Sequence, residues 1–282
     1  MSEKVNFSLT PSLEISVLLA SRNRPEICHK SIKGMFERAD DPDNIEFLIA
    51  IDDDDKASEE YFVETMLPWA EEAGVNLQVH SVPRWGYAQL NMYYNYLAVR
   101  ASGRWMIVWN DDARIESDGW DSAITEYNGQ FVLQRFKDNH NEHPYAIFPI
   151  ISRDWVILFG ELCPFQQIDA WHSQIMYMAD AVVRNTGVCT HDRHDLTGNN
   201  DDDTYKERVY FEGNPDDPRD LNHPTRHMQK FQQLNKVVWL RKLLGQDTGY
   251  WDSVERGERD AWEKMKEHDP NNQIGVSKVR KE

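Results

Sequence analysis

Apolar and polar positions fall into blocks along the first 110 residues. Residues 15–20, 46–51 and 105–109 are apolar almost without a break, and 77–82 alternates apolar with polar. Unbroken runs of this length describe strands buried on both faces. The segments between them, 26–38, 58–73 and 87–101, read as helices. The punctuation agrees: Pro25 suits the first position of a helix, Gly74 a helix C-cap, and Ser102-Gly103 a break before the next strand. Strand and helix thus alternate four strands deep, which predicts a parallel sheet covered by helices.

The second half is less regular. Gly119-Trp120 opens a helix through about residue 127, and the polar stretch 128–144 reads as a loop. Residues 145–151 read as a strand, 155–159 as a further short strand, and 165–179 as a helix. A strand follows at 182–184, then helices at 225–244 and 252–267. The division expected is one α/β domain over 1–212, with halves 1–115 and 116–212, and a helical extension over 213–282 packed on it.

Charge enters next. The net charge is −17, from 48 acidic and 31 basic residues, which argues against a broad basic surface for nucleic acid. Cys28, Cys163 and Cys189 are odd in number and widely spaced, so free thiols are expected. The N-terminus lacks the charged and apolar regions of a signal peptide, and no apolar run approaches the roughly 20 residues that cross a bilayer. A cytoplasmic protein is expected.

Two strands end in acid. Residues 46–51 run into Asp52 and Asp53, and 105–109 into Asn110, Asp111 and Asp112. In a parallel sheet these ends lie along one edge, where open α/β sheets bind ligands. Arg22, Arg24 and Arg84 fall on the same rim. Acids for a divalent cation and ribose hydroxyls, with arginines for phosphates or a base, describe a nucleotide site. On its own, Asn110-Asp-Asp112 is equally compatible with a polar turn. No GxGxxG or GxxxxGK[ST] occurs, which weighs against dinucleotide and P-loop sites.

Three blocks then match a known pattern. They are Val17-Leu-Leu-Ala-Ser-Arg-Asn-Arg-Pro25, Phe47-Leu-Ile-Ala-Ile-Asp52, and the series Gly86, Asn95, Ala101, Gly103, 105–109 and Asn110-Asp-Asp112. Together they resemble the nucleotide-sugar-binding half of a GT-A fold glycosyltransferase, close to glycosyltransferase family 2. The family motif often reads Asp-x-Asp, and here it is Asn-Asp-Asp-Ala.

The resemblance implies transfer of a sugar from a nucleoside-diphosphate sugar, a UDP-sugar first, to an acceptor hydroxyl with Mn²⁺ or Mg²⁺. Asp112 takes the place of the metal-binding Asp, and Asp111 a ribose or supporting role. A histidine after the last sheet strand would complete the metal site, and His191 and His194 both qualify; imidazole suits Mn²⁺ better than Mg²⁺. Arg22, Arg24, Asp52, Asp53, Arg84, Gly86, Asn95 and Asn110 would line the donor side. The catalytic base of an inverting enzyme would be Asp169, with Glu161 the alternative. Trp120, Trp155 and Trp171 would face the acceptor, with His172 beside Trp171. A saccharide, a protein or a modified DNA base fits as acceptor. The last would suit a compact viral-type transferase but is disfavoured by the acidic charge. A nucleotidyltransferase would use the same strand-end acids but lacks its Gly-rich phosphate loop near residue 20. The non-catalytic alternative is a nucleotide-binding α/β module.

Overall fold

The computed structural model describes residues 10–139, 145–192 and 223–246. Four parallel strands form one side of the sheet: β1 (Leu13–Ser21), β2 (Ile45–Asp52), β3 (Asn76–Val82) and β4 (Gly103–Asn110). β1 lies between β2 and β4, with Leu18 beside both Leu48 and Val108. The sheet continues through β5 (Ala113–Ile115), β6 (Leu133–Lys137), β7 (Ile150–Ser152) and β8 (Val182–His191). Its order is β3-β2-β1-β4-β7-β6-β8-β5. β7 is antiparallel to β4 and β6, β6 is parallel to β8, and β5 is antiparallel to β8.

Alternate residues of β1 enter two different cores, which is why the run has no polar face. Val17 and Leu19 pack with Ile32 and Met35 of α1 (Pro25–Glu37) and with Trp120 of α5 (Trp120–Thr125). Leu18 points the other way, into the core of Tyr94 and Leu97 from α4 (Leu90–Ala98) and Ile175 from α7 (Ile168–Met178). Leu234 and Val237 of α8 (Pro224–Leu243) join that second core. β1 and β4 approach closely at Gly103. A Cβ there would sit 2.5 Å from the Ser16 backbone nitrogen. Between β2 and β3, α2 (Lys56–Tyr61) continues through a π-helical stretch (Phe62–Met66) into α3 (Leu67–Ala73). Pro68 supplies the reason: it has no N–H for the helical ladder and its ring crowds the turn before it. Gly74 ends α3 in the left-handed conformation.

The second half departs from the expected pattern in four places. The polar stretch 128–144 contains β6, whose Gln134 and Arg135 are buried. Residues 155–159 belong to a helix, α6 (Asp154–Phe159), since a short apolar run does not separate strand from helix. Of the strand expected at 145–151, only Ile150 and Ile151 lie in β7. The strand seen at 182–184 runs on to His191, because it pairs first with β6 and then with β5. The helix expected at 252–267 and the boundary at 212/213 lie outside the described residues.

Candidate active site

The turn after β4 is fixed from three sides. On α1, Ser31 accepts the indole N–H of Trp109 at 2.9 Å and donates to the Ala113 carbonyl at 2.5 Å. Its hydroxyl therefore brackets Asn110-Asp-Asp112. On α4, Tyr94 donates its hydroxyl to the Trp109 carbonyl at 2.9 Å. Just beyond β8, the Asp192 amide bonds the Asp112 carbonyl at 2.9 Å.

Within that turn the two aspartates divide. The Asp111 side chain is 2% exposed. One oxygen accepts Ser21 at 2.8 Å and the other pairs with Arg24 at 2.8 Å. Asp112 is more open, at 19%, and its Oδ1 lies 3.1 Å from Nε2 of His191. Burial pushes the Asp112 carboxyl up, but the His191 hydrogen bond and the charges of His191 and Arg24 outweigh it and hold it below its ordinary range. The Asn110 amide sits 3.3 Å from the same imidazole nitrogen. Asn139 fixes the His191 backbone, accepting its N–H at 2.9 Å and donating to its carbonyl at 3.2 Å. Carboxylate, imidazole and amide thus converge on one point at the sheet edge. A carboxylate oxygen with one imidazole nitrogen suits Mn²⁺, whose further positions would go to phosphate oxygens and water. Among the described residues, no group of three or more His, Cys, Asp or Glu stands ready to hold a metal. His194 lies outside the described residues.

The β2 edge is organised separately. Asp52 is buried, pairs with Arg22 at 2.7 Å and accepts the Tyr93 hydroxyl. Tyr93 in turn accepts the backbone N–H groups of Trp85 and Gly86 at 2.9 and 3.0 Å. Gly86 holds a positive φ of 70°, which favours glycine. Burial, then the bond to Asp52, raises the Tyr93 pKa, so the hydroxyl stays a donor. Arg22 also bonds Asp54 at 2.5 Å, and Arg84 lies 3.8 Å from Asp54. Arg22, Arg24 and Arg84 are therefore on the rim, each beside acids of the same edge. The Asp53 side chain is exposed. Tyr93 and Asn139 carry no signal in the sequence: one sits inside a helical apolar pattern and the other in a polar stretch.

Asn95 requires a correction. It does not reach the β2 or β4 edge; it clamps the turn after α6. Its Oδ1 accepts the amides of Leu162 and Cys163 at 2.9 and 3.0 Å, and its Nδ2 donates to the Cys163 carbonyl at 2.8 Å. Asn91 adds a 3.2 Å bond to the same carbonyl. This turn carries Glu161. Burial raises the Glu161 pKa, and the charge of Arg226 on α8 draws part of it back. Asp169 lies in the first turn of α7 and is half-buried. One helix, α4, thus holds the β2 edge through Tyr93, the β4 turn through Tyr94 and the Glu161 turn through Asn95.

The expected aromatic acceptor wall is also corrected. Trp120, Trp155 and Trp171 are fully buried, and their indole N–H groups bond the Met35 carbonyl, the Leu162 carbonyl and Gln233. Core packing takes up their ring faces. His172 is buried too, beside Trp155, with Nε2 2.9 Å from the Leu162 carbonyl. Burial lowers its pKa to about 4.

This mainly parallel sheet, with helices on both faces and acids at its C-terminal edge, is a GT-A glycosyltransferase fold. Two solved structures carry the comparison. The mannosyltransferase PcManGT from Pyrobaculum calidifontis, in complex with GDP-Man and Mn²⁺, matches at a TM-score of 0.50 and 11% identity, over 98% of this chain and 92% of that one. TarS of S. aureus matches at 0.53 and 9% identity, over 95% of this chain and 44% of that one. No protein-family model matches the sequence, and no curated protein matches it.

Proposed function

We propose that the protein is a glycosyltransferase that moves a sugar from a nucleoside-diphosphate sugar to an acceptor hydroxyl. One observation carries this reading: within a GT-A fold, Asp112 at the end of β4 meets His191 at the end of β8, 3.1 Å apart and 79 residues distant in sequence. Asp112 and His191 would hold Mn²⁺ or Mg²⁺, with Asn110 alongside. Such an ion, when bound, neutralises charge on the departing diphosphate. Asp111 is committed to Ser21 and Arg24 and supports the turn. Arg22, Arg24 and Arg84 supply positive charge on the donor side, and Asp52 with Tyr93 shapes the pocket for the base.

The acceptor hydroxyl needs a proton acceptor. Asp169 and Glu161 are the two candidates; burial raises the pKa of the Cys163 thiol, and the charges of both add to it. Asp169, in the first turn of α7, is the first choice, and Glu161, whose pKa burial raises, is the alternative. A single displacement assisted by either one inverts the anomeric centre.

Calorimetry with UDP, GDP and their sugars, with and without Mn²⁺, tests the donor site. Binding should depend on metal, and Asp112→Ala should weaken metal-supported binding by more than about 100-fold, since even changes to the groups behind a ligand cost 10–100-fold. Unchanged binding without metal in that variant rejects the reading. For the base, Glu161→Gln and Asp169→Asn are compared. The variant that keeps donor binding and loses transfer identifies the residue, and full transfer by both sinks the assignment. Released nucleoside diphosphate, rather than pyrophosphate, separates this chemistry from nucleotidyl transfer.

A further inference from the structure

Four consecutive residues at the end of β1 each bond a carboxylate, and the carboxylates follow both neighbouring strands. Ser21 donates to Asp111 at 2.8 Å. Arg22 pairs with Asp52 at 2.7 Å and with Asp54 at 2.5 Å. The backbone N–H of Asn23 bonds Asp55 at 2.7 Å. Arg24 pairs with Asp111 at 2.8 Å and lies 3.8 Å from Asp112. Because β1 lies between β2 and β4 in the sheet, this loop ties the acidic end of one neighbour to that of the other.

The two arginines are two residues apart, yet they go to different strands. In an extended chain, residues i and i+2 point to the same side. Between them stands Asn23, whose φ is 56°. Among the described residues, only Asn23 and Asp180 hold a positive φ without being glycine. Asparagine is one of the few residues with a side chain that visits this region readily. The Asn23 side chain is exposed, so what the residue supplies here is a backbone conformation and not packing. Asp55 holds that conformation. It is 3% exposed and caps α2, its Oδ1 accepting the Ser58 N–H at 3.1 Å. Its Oδ2 takes the Asn23 N–H. Capping alone needs one oxygen; the second fastens the β1 loop to α2.

We propose that Asn23 and Asp55 are positioning residues of the donor site. The left-handed turn at Asn23, pinned by Asp55, splays Arg22 towards β2 and Arg24 towards β4, so that one nucleoside diphosphate meets both guanidinium groups. This rests on the glycosyltransferase reading, in which these arginines face the donor. Neither Asn23 nor Asp55 touches the donor; each acts through the arginines. Where the turn is lost in a fraction of the molecules, that fraction is not competent and affinity falls accordingly.

The test is calorimetric titration of UDP and of GDP into the full chain with Mn²⁺, beside a urea midpoint for each variant. Asn23→Ala should weaken nucleotide binding by about fivefold or more, the population cost of a left-handed residue that carries a Cβ. Asn23→Gly should bind within about twofold of wild type, because glycine adopts positive φ freely. Asp55→Asn keeps a cap for Ser58 but has one oxygen for two donors, and should weaken binding by about tenfold. Wild-type affinity in either Asn23→Ala or Asp55→Asn, whatever the change in stability, shows a merely structural turn and overturns the proposal. Equal losses in Asn23→Gly and Asn23→Ala overturn it too, since they give the role to the amide side chain. If Asp55→Asn does not fold, the alanine and glycine variants of Asn23 still decide. A wild type that binds neither nucleotide, with or without Mn²⁺, rejects the donor site and this proposal with it. Binding by the wild type that the variants leave unchanged rejects this inference alone.

Discussion

The central strands β1, β2 and β4 and the strands β6 and β7 beyond them are both buried, but by different chemistry. In the first set the buried surface is mainly apolar, and its buried polar groups sit at the strand ends, Ser16 with Glu46 at one and Ser21 and Asp52 at the other. In the second set polar side chains lie inside. Gln134 donates to the Ile124 carbonyl at 3.0 Å and accepts from Asn185 at 3.2 Å. Arg135 bonds the Tyr177 hydroxyl at 3.2 Å and lies 3.7 Å from Asp138. A buried polar group is tolerated only when its bonds are made. The first half therefore tolerates any apolar residue of suitable volume, whereas the second depends on particular partners meeting.

This contrast can be broken at two glycines. A Cβ at Gly103 meets the backbone of Ile15 and Ser16 at 2.5–2.6 Å, and paired strands cannot move apart without losing their ladder. A Cβ at Gly187 meets the Phe136 ring, a side chain rather than backbone. Gly103→Ala should cost about 3 kcal/mol or more and Gly187→Ala about 1–2. Urea denaturation of both variants measures the difference, and equal costs would show the two halves to be equally rigid.

A second test concerns acid. His172 has a pKa of about 4 in the folded protein, below the 6.5 of an unfolded chain. Between those values the unfolded chain takes up a proton that the folded one refuses. Stability should therefore fall as pH drops through this window, by about 2 kcal/mol between pH 7 and pH 5. His172→Gln should reduce that slope while an amide N–H still reaches the Leu162 carbonyl. Urea midpoints at the two pH values decide it, and an unchanged slope in the variant removes His172 as the cause.

The smallest effect is expected at the β2 edge. Tyr93→Phe leaves the buried Asp52 carboxylate and the Trp85 and Gly86 amides without a shared hydroxyl. The cost should be about 1–2 kcal/mol. Donor binding should weaken with it, because the turn at 83–86 loosens. A stability change without any change in donor affinity would separate that turn from the site.

Several elements were legible in order of chain. The runs at 15–20, 46–51 and 105–109 had no polar face, so they had to be central strands, and the acids following them had to share one edge. Pro25 and Gly74 marked their helix ends through local backbone preference. β6 was hidden because two of its four buried residues, Gln134 and Arg135, are polar, and α6 because five apolar residues in a row fit either period. Nothing local distinguished Trp120, Trp155 and Trp171 as core rather than ligand-facing.

What the sequence determined by itself is the parallel half of the sheet and the presence of carboxylate and arginine along its edge, since alternation and strand ends are local properties. The tertiary structure decided the pairings: His191 to Asp112 across 79 residues, Tyr93 to Asp52 across 41, and Asn95 to the Glu161 turn. Each joins residues far apart in the chain, and only the register of strands and the packing of α4 bring them within hydrogen-bonding distance.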